Sequence, residues 1–146
     1  MKRLSILILS ITFLFSLQNE ANAQSTELGV IIGEPTGVSA KFWTSGRSAV
    51  DLGVAWSLGD SGNMHLHSNY LWHFRMDSGV AFYTGLGARL LFDEDTQLAA
   101  RIPIGLQFNL ARRLSLFFEL APTLPIMPET QSNFDINGGA GIRFRF

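Results

Sequence analysis

The sequence predicts an all-β fold, an eight-stranded antiparallel up-and-down transmembrane β-barrel with a polar interior filled by side chains. Three observations predict it. From Gln24 onward apolar residues recur with period two, and no helical periodicity of any length interrupts them. The segments are joined by hairpin-sized links rich in Gly, Pro, Asp and Ser. Aromatic and aliphatic side chains collect on one face of each segment, while glycine and charge collect on the other.

The chain before the barrel reads as a targeting segment. Met1-Lys2-Arg3 precedes the apolar run LSILILSITFLFSL, and Ala21-Asn22-Ala23 follows it. A basic start, an apolar core of about 14 residues and an A-x-A site describe a signal peptide cleaved after residue 23. The run falls short of the roughly 20 residues that a spanning helix requires. Residues 24–146 are then the barrel, exported to the outer membrane. No cysteine is present, which excludes disulfides, thiolate chemistry and lipid attachment through a thioether. Without Lys2, Arg3 and Glu20, nine basic and eleven acidic side chains remain, with no basic stripe to track phosphates, so nucleic acid is not an expected partner.

Eight strand segments are expected, at 26–33, 38–44, 48–58, 63–75, 79–92, 97–110, 113–127 and 134–146. In the last, Phe134, Ile136, Ala140, Ile142, Phe144 and Phe146 share one face against Asp135, Asn137, Gly139, Gly141, Arg143 and Arg145. In 113–127, Leu114, Leu116, Phe118, Leu120, Leu124 and Ile126 oppose Ser115, Phe117, Glu119 and Thr123. In 97–110, Ile102, Ile104, Leu106 and Phe108 oppose Arg101, Gly105, Gln107 and Asn109. In 48–58, Val50, Leu52, Val54 and Trp56 oppose Asp51, Gly53 and Ala55.

A soluble ligand-carrying barrel has the same alternation with the apolar face turned inward. Two features oppose that orientation. Gly29, Gly33, Gly53, Gly85, Gly87, Gly105, Gly139 and Gly141 fall on the polar face, where a narrow eight-stranded lumen is crowded by large side chains. The apolar face carries most of the aromatics, among them Phe42, Trp56, Tyr70, Trp72, Phe74, Phe82, Phe92 and Phe108, several near strand ends as interfacial girdles require. Apolar outside and polar inside makes lipid the solvent.

The terminal stretch GIRFRF, ending in Phe144 and Phe146, resembles the last strand that outer-membrane barrels present to their assembly machinery. GEPTGVSAKFW, NYLWHF, YTGLGARL, RIPIGLQF and FFELAPTLP together resemble a family of small, uncharacterised Gram-negative outer-membrane barrels. That family is similar in architecture to the eight-stranded OmpA-type transmembrane domain. The resemblance spans essentially all of residues 24–146. It implies outer-membrane lipid and lipopolysaccharide as surroundings, the barrel-assembly machinery as a transient partner through Phe144 and Phe146, and no particular activity.

All three histidines lie in HLHSNYLWHF, and even spacing places His65, His67 and His73 on one strand face, the inward one. Two histidines at i and i+2 can share zinc. The expected neighbours, Ser57, Ala55 and Gly87, with Arg89 close to His65, offer no third ligand, so no metal or other cofactor is expected. His67-Ser68-Asn69 resembles the motif of outer-membrane lipid A deacylases, in which histidine precedes serine by two residues. Here the two are adjacent and point to opposite faces, which breaks the base–hydroxyl dyad. That leaves deacylase-like hydrolysis as the alternative to a non-enzymatic barrel.

An open pore requires a wider lumen than one that houses these side chains. Folding the hairpins about their turns sets Lys41 opposite Asp51 and Glu119 opposite Arg143. Glu27, Arg89, Arg101, Asp135, Arg145 and the histidines complete an expected structural network. With the N-terminus periplasmic, the surface loops are 34–37, 59–62, 93–97 and 128–133, carrying Glu34, Asp60, Asp93, Glu94, Asp95 and Glu129. Acids in such short loops are solvated or bridge divalent cations to lipopolysaccharide. The expected function is a monomeric structural or surface-interaction barrel, non-enzymatic and without an open pore.

Overall fold

Short turns determine how the strands follow one another. Ser45 Oγ accepts from the backbone N–H groups of Arg47 and Ser48, closing the turn over 44–47. Ser78-Gly79 forms a two-residue link in which Asp77 Oδ1 accepts from Ser78 N and Gly79 takes a φ of 84°, a left-handed conformation that favours glycine. These links tie together β1 (Thr26–Glu34), β2 (Thr36–Trp43), β3 (Ser48–Trp56), β4 (Met64–Asp77), β5 (Val80–Phe92), β6 (Thr96–Arg101), β7 (Ile104–Asn109), β8 (Leu114–Met127) and β9 (Asp135–Arg145) in a computed structural model. The structure describes residues 25–34, 36–56, 62–93, 95–127 and 134–146. The expected signal segment, and Ser57, Asp60, Glu94 and Glu129, lie outside them.

The sixth expected strand, 97–110, is two segments. Pro103 has no N–H to give the ladder, and pairing breaks at Ile102-Pro103. The wall stays intact because β6 and β7 both bridge β5 and β8. Ile102 N donates to Pro122 O at 3.0 Å, and Gly85 N donates to Pro103 O at 3.0 Å. A second irregularity lies in β8, where Leu98 faces Met127 but Ala99 faces Pro125, an extra residue absorbed as a bulge.

With β6 and β7 counted as one wall position, eight antiparallel strands close by pairing β1 with β9, from Glu27–Arg145 to Glu34–Gly138. Among the described residues no strand is left without a partner on either side, which is the condition for crossing lipid with strands.

The burial pattern is inverted relative to a water-soluble protein. Leu28, Val30, Ile32, Leu86, Leu120, Leu124 and Ile142 are exposed. Glu27, Lys41, Asp51, Arg101 and Arg143 are buried. The apolar part of the interior is a small cluster of Leu71, Tyr83 and Phe117 with Ile31 against it. Glycines make room for the large inward groups: a Cβ at Gly53 collides with the His67 ring, one at Gly105 with the Tyr83 ring, and one at Gly141 with the Phe117 ring. Glycine in these strands serves side-chain packing across the lumen and not backbone flexibility.

Candidate functional site

Strand parity delivers the polar groups to the lumen, and register decides which of them meet. Lys41 lies opposite Asp51, as the hairpin geometry of 38–58 requires. Their side chains nevertheless part. Asp51 accepts from Arg143 at 3.4 Å, from Ser39 Oγ at 3.3 Å and from Asn69 Nδ2 at 3.4 Å. Arg143 Nε also donates to Ser39 Oγ at 3.0 Å, and its guanidinium lies 3.7 Å from the centre of the Phe117 ring. A delocalised, weakly hydrated cation suits a packed position against an aromatic face.

The expected opposition of Glu119 and Arg143 is not what the structure contains. Glu119 lies opposite Gly139, and Arg143 lies opposite Ser115. The register of β8 and β9, in which Thr123 faces Asp135, is offset by four residues from the one assumed. Glu119 instead accepts from Arg101 at 2.7 Å and from the Tyr83 hydroxyl at 2.8 Å. Arg89 faces His67 directly and lies diagonally across from His65, close to it as expected.

Two further groups flank this centre. At the end of the lumen near Ser25 and Phe146, Glu27 pairs with Arg145 and accepts from Trp43 Nε1 at 2.8 Å. Towards the other end, Arg89 reaches Asp135 at 3.4 Å and donates to Asn137 Oδ1 at 2.7 Å. Thr123 Oγ1 lies 3.2 Å from the same Asn137 oxygen. Four carboxylates are therefore each held by an arginine. Lys41 is the remaining cation of the set, fully buried, donating to Gln107 Oε1 at 2.9 Å and lying 3.1 Å from His73 Nε2.

The three histidines share the lumen but not a site. His73 is stacked between Trp43 and Tyr83, with ring centres 4.4 and 5.2 Å away. His67 borders a cavity of about 20 Å³ with Arg101, Glu119 and Asn137, space on the order of one water. His65 faces Ala55 and Leu91. Among the described residues, no group of three or more His, Cys, Asp or Glu is placed to hold a metal. His67 is buried while Ser68 is exposed on the outer wall, so no hydroxyl–imidazole contact forms between them.

Alternation in the sequence puts Asn69, Gln107, Thr123 and Asn137 on the polar face without giving them partners, and nothing local singles out Ser39. Parity announces that they point inward. Only closure of the barrel brings Ser39 to Arg143 and Asn137 to Arg89.

No family model matches the chain, and no curated protein does. Solved structures do. The N-terminal β-barrel domain of Pseudomonas aeruginosa OprF aligns with a TM-score of 0.67 at 14% identity, over 84% of this chain and 97% of that one. Neisserial surface protein A aligns at 0.59 and 16% identity, over 84% and 95% respectively. A de novo designed transmembrane β-barrel aligns at 0.63 and 16% identity, over 87% and 99%. At such identities the likeness is one of fold, and the fold is the closed eight-stranded antiparallel barrel of membrane-spanning proteins.

Proposed function

We propose that this protein is a small integral barrel of the bacterial outer membrane, with a structural or surface-interaction role, no enzymatic activity and no open pore. One observation carries the reading: a continuous apolar exterior surrounds an interior in which arginines hold carboxylates. Such a surface is stable only where lipid covers it, and such a filling serves to hold the wall together. Its surroundings are then lipid and lipopolysaccharide, and it works as a monomer. The assembly machinery is met during insertion through Phe144 and Phe146, which lie on the lipid-facing side of the last strand with ring centres 5.3 Å apart. Separation of His67 from Ser68 by the barrel wall weighs against deacylase-like hydrolysis.

The test is fractionation of cells expressing the full chain, followed by gel migration of the detergent-extracted protein with and without boiling. The expected outcome is recovery with the outer membrane and a mobility shift on heating. Recovery as a folded monomer in the soluble periplasmic fraction overturns the reading.

A further inference from the structure

We propose that the cavity at the end of the lumen where Ser25 and Arg145 lie is a binding site for a small solute carrying an oxyanion, a carboxylate or a phosphate. The cavity measures about 690 Å³, within the range of small-molecule sites and far larger than the pocket beside His67. Trp43, His73, Arg75, Gln107, Asn109 and Arg145 contribute to its lining.

Lys41 lies behind its floor, bonded to the lining residue Gln107. No described carboxylate lies within ion-pair distance of its ammonium group, because Glu27, Asp51, Glu119 and Asp135 are each held by an arginine. An ammonium group donates only, so the Gln107 oxygen must face it. That fixes the Gln107 amide. Its Nε2 then donates to Asn109 Oδ1 at 3.1 Å, which commits the Asn109 oxygen and leaves the Asn109 amino group as the outer end of the chain. The aligned dipoles polarise one another and carry the positive end from Lys41 to the cavity.

Arg75, for which no ion pair forms among the described residues, stands in the same wall, as does Arg145, whose charge is answered by Glu27. The carboxylate of that wall, Asp77, is engaged by the backbone N–H of Ser78 in its own turn. With Lys41 behind the floor and Arg75 in the wall against the carboxylate of Asp77, positive charge and outward-facing donors are in excess, which favours an oxyanion. The cavity's lining is lumenal, so the ligand arrives as a solute and not as a membrane lipid.

The experiment is two-dimensional NMR of the refolded barrel in a phosphate-free non-ionic detergent, following the Trp43 indole and Asn109 amide signals. Sodium acetate and inorganic phosphate are titrated at constant ionic strength against chloride. Saturable shifts with either oxyanion and none with chloride are expected. Arg75→Gln and Asn109→Leu should each weaken the apparent affinity about tenfold. Both residues are exposed, so these variants are expected to fold. Lys41→Met should have at least as large an effect where it folds. Shifts equal to those of chloride, or saturable shifts unchanged in both Arg75→Gln and Asn109→Leu, overturn the proposal. So does a response confined to barrels in phosphatidylglycerol nanodiscs, which would assign the signal to lipid phosphate.

Discussion

Glu119 shows what a single buried residue demands in this barrel. Its two oxygens are divided between Arg101 and Tyr83, both of them buried. Removing one member of a buried pair leaves an uncompensated charge, which costs more than removing both. Glu119→Ala is therefore expected to destabilise the barrel by about 3 kcal/mol in urea unfolding from detergent, and adding Arg101→Ala should restore part of the loss. The same cycle run between Glu119 and Arg143 should show a smaller coupling, because Arg143 answers to Asp51. Equal coupling in the two cycles would contradict these partnerships.

At the level of elements, the two terminal strands carry the closure. β1 is held on one side by β2 and on the other by β9, and Phe146 N donates to Thr26 O at 2.9 Å at the seam. The rings of Phe144 and Phe146 lie outside this seam, exposed, and contribute little to the lumen packing. A role in assembly separates from a role in stability. Deleting Phe146 should reduce outer-membrane levels several-fold in cells while leaving refolding into detergent intact. Unchanged membrane levels would remove the assembly role. The β6–β7 break illustrates the opposite case, in which an irregular strand costs the wall nothing because flanking strands capture the freed backbone groups.

At the scale of the whole molecule, the lumen is obstructed along its middle by Arg143, Phe117, Tyr83, Lys41 and Leu71, all fully buried. The cavity lined by Ser25 and Arg145 and the small pocket beside His67 are bounded by different residues. Single-channel recording in planar bilayers should therefore detect no steady conductance at neutral pH. Sustained openings of constant size would show that the arginine–carboxylate groups rearrange to open a path, and would restore the channel reading.

The sequence alone determined the fold class, the strand order and the side of the wall on which most of the described strand residues stand. Period-two alternation is a local property, so Glu27, Lys41, Asp51, His67, Arg89, Arg101, Glu119 and Arg143 were legible as inward-facing without knowledge of any neighbour. The hairpin partners joined by short turns were legible too, as Lys41 opposite Asp51 illustrates. Which inward groups bond to each other was decided by tertiary structure. Arg143 and Asp51 are 92 positions apart, and Arg145 and Glu27 are 118 apart. Such pairs exist only once the ring closes and its shear sets the height of each strand. A long connection leaves register open, so the partner of Glu119 could not be read from the turn between β8 and β9. The resolution of Lys41 onto Gln107 and His73 has the same cause, since a side chain long enough to cross the lumen chooses among all the strands that face it.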